Sequence, residues 1–222
     1  MPPIITNSAE SLTNTVNLTL ASDATMLLAW YTSGRGVEAM GSAVWSSDAE
    51  ALTQLLAVND TDDNDGRSEL WFLHDPKLGA HVLTFSSDPG TQNNWFAIGV
   101  KGVDTDDPWR TQFTTNGTIS PAVQLDVSLS PAANDLQIGS MSTWRASEPI
   151  PGDTDSTTST DTYSVVGATY GAVLARNGIG NLSFNTGNAS VENDFTVAAV
   201  SIKPTPVVST DVSNAIFFGI AI

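Results

Sequence analysis

The sequence predicts an all-β protein in which two β-layers close over one apolar core as a single sandwich. Hydrophobic residues make up 41% of the 222 residues and charged residues only 14%, a composition typical of short strands and many turns rather than of solvent-facing helices. Gly, Pro, Asn and Asp separate about ten segments of strand character, at the spacing expected of a sandwich. A chain of this length commonly folds as one such domain. The sequence shows no internal repeat.

The first predicted strands differ in how much surface they bury. Residues 12–20 alternate between apolar side chains, such as Val16 and Leu18, and Thr or Asn, which indicates a strand with one buried face. Residues 25–32, TMLLAWYT, are short and continuously apolar, which indicates a strand that is covered on both faces.

Residues 47–58 are the one segment in which local signals conflict. Ser47 and Glu50 form a capping-box pattern before ALTQLLAV, and this pattern favours a short helix. We nevertheless predict a strand in this segment, on the resemblance described below.

The strongest local prediction is a β-hairpin over residues 68–87, SELWFLHDPKLGAHVLTFSS. Residues 69–74 are apolar and aromatic, residues 75–79 (DPKLG) carry turn residues, and residues 81–85 resume the strand pattern. A segment this rich in aromatic residues must pack on a second layer.

Further strands are predicted downstream. Residues 121–129 alternate most regularly, with Val and Leu on one face. Residues 147–162 are polar and broken by Pro and Gly, which indicates a surface loop. The other predicted strands are residues 95–103, 112–115, 135–144, 163–175, 181–185 and 194–203.

Both ends of the chain are predicted to extend from the sandwich. We expect residues 1–11 to form an N-terminal arm, residues 12–204 the sandwich, and residues 205–222 an apolar C-terminal arm. The run NAIFFGIAI would be an aggregation hazard unless it pairs with a sheet edge of its own or of a neighbouring subunit. The residues predicted to contact a partner subunit are Ile4, Ile5, Ile216, Phe217, Phe218, Ile220 and Ile222.

Charge and composition exclude several function classes. With 24 acidic and 8 basic residues the formal charge is −16, so the surface repels phosphate backbones and we expect no nucleic-acid partner. The chain has no cysteine, and therefore no disulfide framework or thiolate site. The first residues lack the pattern of a signal peptide, and no apolar run reaches the roughly 18 residues of a membrane span. We expect neither export by a signal peptide nor a membrane partner.

No catalytic constellation stands out. The two histidines, His74 and His81, lie in or beside the predicted hairpin, where packing or solvation is the commoner role, and no G-x-S-x-G sequence occurs. We therefore predict no catalytic residue, no cofactor and no enzymatic activity.

An acidic turn offers a weak calcium candidate. Its carboxylates have the charge density of a calcium loop, but EF-hand spacing fails, because Gly66 at the sixth position places Thr61 first and Phe72 twelfth. A solvated acidic turn is the preferred interpretation. The candidate ligands are Asp60, Asp62, Asp63 and Asp65.

Six tryptophans are many for this length, and an exposed indole can stack on sugar rings. Trp30, Trp71 and Trp95 lie inside apolar segments and are predicted to be core. Trp109 and Trp144 lie next to predicted loops, and they are the candidate glycan-binding residues.

Four stretches carry a family resemblance. They are AVWSSDAEALTQL at residues 43–55, ELWFLHDPKLGAHVLTF at 69–85, WFAIGVKGVDTDDP at 95–108 and VAAVSIKP at 197–204. Together they resemble a jelly-roll domain family that occurs in bacterial surface proteins and in phage virion proteins. The resemblance extends over about residues 4–204 and implies a jelly-roll sandwich.

The resemblance also implies a strand, a turn and a strand near residues 43–55, although this chain carries Ser46 to Glu50 where family members tend to have glycines. It supplies a fold and a setting rather than functional residues.

From these observations we expect a non-enzymatic structural protein on the exterior of a virus particle, most simply a phage capsid decoration (cement) protein. Such a virion protein would be made in the host cytoplasm. It would form a homo-oligomer, a trimer by analogy, and bind the major capsid protein or other virion proteins. The alternative is an extracellular carbohydrate-binding module or lectin that uses Trp109 and Trp144. An enzyme such as a depolymerase is disfavoured, because no strand offers suitably spaced inward carboxylates.

Overall fold

The computed structural model describes residues 1–33, 39–60, 66–86, 93–119, 124–143, 163–166, 171–185 and 193–207. Within these ranges the regular structure consists of sixteen strands and no helix, which confirms the all-β prediction. The strands β1 to β16 are, in chain order, Ile4–Ser11, Thr15–Leu20, Met26–Ser33, Ala43–Trp45, Glu50–Ala51, Thr53–Asn59, Arg67–His74, Gly79–Phe85, Asn93–Lys101, Trp109–Ile119, Gln124–Val127, Leu136–Thr143, Tyr163–Val166, Gly171–Asn177, Leu182–Asn185 and Asn193–Ile202.

The strands form four sheets. Central sheet I has the order β1-β9-β3-β7-β6, and central sheet II has the order β10-β16-β12-β14-β13. Outer sheet I has the order β2-β8-β4-β5, and outer sheet II is the pair β11-β15. Every strand pair is antiparallel.

Three apolar clusters lie between these sheets and stack them in the order outer I, central I, central II, outer II. The first cluster joins Tyr31 of β3 to Leu83 of β8. The second joins Trp30 of β3 to Ile138 of β12, and the third joins β12 and β16 to Phe184 of β15. The sandwich prediction is confirmed, but the expected two layers over one core are corrected to four layers with three cores.

Strand β3 shows why the stack has more than two layers. All eight of its residues are buried, as its continuous apolar sequence predicted. Leu27 and Tyr31 point into the first cluster, whereas Leu28 and Trp30 point into the second, because side chains alternate along a strand. A strand that is apolar on both faces requires a layer on each side.

The strand order occurs twice. In the N-terminal half (β1–β9) the chain forms β1-β9-β3-β7, with β2-β8 in the layer above. In the C-terminal half (β10–β16) it forms β10-β16-β12-β14, with β11-β15 in the layer above. The chain crosses repeatedly between two layers, which is consistent with jelly-roll connectivity. The two halves pack through the central sheets, with β3 across from β12.

The hairpin predicted over residues 68–87 is wrong. Strand β7 pairs with β3 and β6 in central sheet I, whereas β8 pairs with β2 and β4 in outer sheet I. Asp75, at a φ of 46°, turns the chain between the layers, and its N–H donates to Thr25 O at 3.0 Å. The chain therefore crosses between two sheets at the place where we expected two paired strands.

The strand prediction for residues 47–58 is confirmed by β6. Ser46 and Ala49 have φ values of 65° and 56°, so the chain turns at this point instead of starting a helix. Glu50 does not complete a capping box, because its Oε2 accepts the N–H of Lys77 at 3.1 Å.

The N-terminal boundary needs a correction. Residues 4–11, expected within an arm, form β1, which pairs with β9 from Ile4 to Ser11. Of the predicted C-terminal arm, the structure describes residues 205–207.

Candidate functional site

Both histidines are held by packing. His81 Nε2 lies 3.1 Å from Leu78 O, and its ring meets Trp45 edge to face at 5.5 Å. His74 meets Phe72 edge to face, with ring centroids 5.1 Å apart. In the part of the chain that the structure describes, neither histidine hydrogen-bonds to a Ser or Thr hydroxyl in the manner of a base and a nucleophile.

Of the calcium candidates, only Asp60 lies among the described residues. It is buried, and its N–H donates to Gly66 O at 2.9 Å. Asp62, Asp63 and Asp65 lie outside the described residues. Within the described ranges, no group of three or more His, Cys, Asp or Glu side chains could hold a metal ion.

The structure describes one of the two glycan-binding candidates, Trp109. Trp109 is the first residue of β10, and its half-buried ring packs on the cluster between the central sheets. It meets Phe72 edge to face, with ring centroids 5.1 Å apart. Trp144 lies outside the described residues. The predicted core tryptophans Trp30, Trp71 and Trp95 are buried.

The most elaborate polar site surrounds Glu69, which is fully buried on β7. Its Oε1 accepts hydrogen bonds from Arg67 Nε and, at 3.0 Å, from the N–H of Met40. Its Oε2 accepts from Gln54 Nε2 and Trp71 Nε1, both at 2.8 Å. Four donors therefore satisfy one carboxylate, and this network holds β6, β7 and the segment before β4 together.

Sequence reasoning missed this network, although a signal was present. Arg67 and Glu69 are two residues apart, which places both side chains on one face of a strand. Opposite charges on the buried face of an apolar strand are seldom found unless they are paired.

A second buried carboxylate, Asp135, lies just before β12. Arg110 of β10 donates to both of its oxygens through Nε and Nη2, the latter at 3.1 Å. Oδ2 also accepts from the N–H of Ala132 at 2.8 Å and from Ser201 Oγ at 2.9 Å. Burial alone would raise the pKa of Asp135, but these hydrogen bonds together outweigh it and lower that pKa below its usual value.

A group of three buried hydroxyls includes one contact between the two halves, from Ser68 to Thr196. Thr196 Oγ1 of β16 lies 2.9 Å from Ser68 Oγ of β7 and 2.6 Å from Ser142 Oγ of β12. All three residues are fully buried. At this end of the molecule the layer between the central sheets is therefore polar, whereas further along the strands it is apolar.

The predicted partner contacts Ile4 and Ile5 lie on β1, an edge strand of central sheet I. Ile5 packs against the second cluster, and Ile4 is 40% exposed. Glu10 is the only charged residue of β1, and partial burial of its carboxyl raises its pKa. Ile216, Phe217, Phe218, Ile220 and Ile222 lie outside the described residues.

Chemically, the two buried carboxylates and the three buried hydroxyls bind groups of the chain itself rather than converge on an open cleft. No family model, no curated protein and no solved structure matches this chain. The part of the chain that the structure describes contains no helix with the length and hydropathy needed to span a bilayer.

Proposed function

We infer that the protein is a non-enzymatic structural component of a virus particle, a phage capsid decoration (cement) protein on the virion exterior. It assembles with further copies, as a trimer by analogy, and binds the major capsid protein or other virion proteins. The proposal rests on the way in which buried carboxylates are bound by other groups of the chain. The two fully buried carboxylates, Glu69 and Asp135, each bind an arginine and further donors from other parts of the chain.

This arrangement supports a structural role for a physical reason. Catalytic acids and bases need a pKa matched to proton transfer and access to a substrate. The carboxylate of Glu69 is enclosed by four donors, and the pKa of Asp135 is lowered, which keeps it ionised. Both groups therefore hold separate segments of the chain together, and the resemblance of four sequence stretches to virion proteins supports a role in a particle.

The carbohydrate-binding alternative gains no support from the described residues. A glycan platform requires an indole face that is open to solvent. The ring of Trp109 instead packs on Phe72 and on the cluster between the central sheets.

The proposal predicts that the protein is present in purified particles. It also predicts that copies assemble through the apolar C-terminal arm, residues 205–222. Removing residues 208–222 should lower the oligomeric state measured by sedimentation equilibrium while leaving the urea unfolding midpoint nearly unchanged. Leu78→Ser, which removes a different exposed apolar side chain (41% exposed), is the matched control and should assemble normally. Absence of the protein from purified virions, or normal assembly of the truncated chain, contradicts the proposal.

A further inference from the structure

A small pocket lies at the end of β1. It has a volume of about 240 Å³ and is lined by Glu10, Ser11, Leu12 and Asn94. The pairing of β1 with β9 ends at Ser11. There Ser11 Oγ accepts the N–H of Thr13 at 3.1 Å, and the chain turns towards β2. The pocket is therefore the gap that opens where the two paired strands separate.

Glu10 supplies the only charge among the residues that line this pocket. It pairs with Phe96 of β9, which places the two side chains on the same face of central sheet I, and Phe96 is fully buried. Although the Glu10 side chain is exposed, partial burial of its carboxyl raises its pKa. Within the described ranges, the Glu10 carboxylate accepts no hydrogen bond and forms no ion pair that would offset this burial.

The positive charges that the structure describes are bound elsewhere. Of the eight Lys and Arg residues in the chain, Arg35 and Arg145 lie outside the described residues. Arg176 donates to Asn181 O at 3.0 Å. The other five pair with carboxylates other than Glu10, and they are Arg67, Lys77, Lys101, Arg110 and Lys203. Because the net charge of −16 attracts cations from outside the molecule, we expect the counter-charge of Glu10 to come from a bound partner.

The lining of the pocket suits an alkylammonium group better than a metal ion. Calcium takes about six to eight oxygen ligands, and no cluster of three metal-ligating side chains occurs among the described residues. An ammonium has three N–H donors and no acceptor, and a carboxylate, a hydroxyl and an amide that can accept hydrogen bonds line the pocket. Leu12, which is 63% exposed, offers an apolar wall to a methylene stem.

We propose that this pocket binds the side chain of a lysine presented by a partner protein. The lysine ammonium pairs with the Glu10 carboxylate, and its methylene stem lies along Leu12. Lysine side chains commonly cover apolar surface with the stem while the charged head stays at a polar edge. The inference goes beyond the proposed function and does not rest on it, because the pocket has the same shape and charge in any setting.

An NMR titration of the full-length protein with N-acetyl-lysine methylamide tests the proposal. The probe should shift the backbone amide signals of Ser11, Leu12 and Asn94 saturably, with a dissociation constant on the order of millimolar for so small a ligand. The Nε-acetylated form of the probe keeps the stem but carries no charge. It should bind about fivefold more weakly, the effect of losing one exposed ion pair.

Glu10→Gln removes the charge at nearly constant shape and should weaken binding of the lysine probe about fivefold. Asp106→Asn is the matched control, because it changes the net charge by the same one unit at an exposed residue that does not line the pocket. This variant should bind as the parent does. Leu12→Ser removes the apolar wall and should also weaken binding. The NMR spectrum of each free variant verifies that it is folded.

Three results overturn the proposal: no saturable shift, equal binding of the uncharged probe, or equal affinity of Glu10→Gln and the parent. Equal losses in Glu10→Gln and Asp106→Asn would also overturn it, because the probe would then respond to net charge alone. The outcomes remain separate from those of the proposed function. Lysine binding at this pocket by a protein that is absent from purified particles supports the site and contradicts the virion role.

Discussion

The two halves share a strand order and differ in what fills them. The cluster under outer sheet I contains Trp45, Trp71 and Trp95. The cluster under outer sheet II contains Phe184 and Phe195 together with Met141 and aliphatic residues. Main-chain pairing and connectivity define the order, whereas many apolar side chains can fill the same space. The repeat can therefore exist in the topology without being visible in the sequence.

The two halves also differ in how exposed the arginine partner of their buried carboxylate is. Glu69 belongs to the N-terminal half, and its partner Arg67 is itself buried, with 10% of the side chain exposed. Asp135 belongs to the C-terminal half, and Arg110 keeps 36% of its side chain in contact with solvent. Removing either acid leaves an arginine without its partner, but only Arg67 would then remain buried. The N-terminal half should therefore depend more on its ion pair.

Glu69→Ala is expected to have the largest effect, a loss of about 3–5 kcal/mol in the free energy of unfolding. The variant leaves Arg67, Gln54 and the indole N–H of Trp71 without their acceptor. Urea denaturation measures the loss. Glu10→Ala, which removes an exposed carboxylate of the same half, is the control and should stay within about 0.5 kcal/mol of the parent. Equal stability of the two variants would show that the network is dispensable.

Asp135→Asn should cost less, about 1.5–3 kcal/mol at neutral pH, because Arg110 can be solvated. Since the pKa of Asp135 is lowered in the folded protein, its contribution is complete above the unfolded-state pKa of about 3.9. It is lost as the pH falls through the folded-state pKa.

The stability difference between the parent and Asp135→Asn should therefore shrink below about pH 4. Unfolding curves recorded from neutral to acidic pH test this prediction. A difference that stays constant across that range would mean that Asp135 does not titrate as its hydrogen bonds imply.

Thr196→Val is expected to have the smallest effect, about 1 kcal/mol, because it removes one hydroxyl from the contact between the halves. Ser68→Ala removes the partner of Thr196 across the two halves, so the double variant should lose less than the sum of the single losses. Thr19→Val, on the exposed face of outer sheet I, is the matched control. Additive losses would indicate that the two hydroxyls act independently.

Local sequence signals predicted the burial of a single strand correctly. They failed to predict strand pairing, which depends on residues far away in the chain. The pattern of residues 25–32 predicted a strand buried on both faces, and β3 is such a strand. The pattern of residues 68–87 predicted paired neighbours, yet β7 pairs with β3 and β6. A turn such as Asp75–Gly79 joins two strands equally well within a sheet or between sheets, so its residues alone do not specify the pairing.

The candidate site was less predictable for the same reason. Arg67 and Glu69 were visible as a charged pair on one strand face, but Gln54 and the N–H of Met40 reach Glu69 only after β6 and the segment before β4 are in place. Ile4 and Ile5 were singled out as partner contacts. Their position on an edge strand follows from pairing with β9, more than ninety residues away in the chain.

The sequence by itself determined the strand class, the two-sided burial of β3, the core tryptophans and the net charge of −16. Each of these follows from composition or from side chains that alternate along one strand. Only the tertiary structure decided the four layers, the repeated strand order, the partners of Glu69 and Asp135, and the place of β1 at the end of central sheet I among the described strands. These features depend on contacts between residues far apart in the chain, whose free energy is shared among several strands and leaves no local pattern.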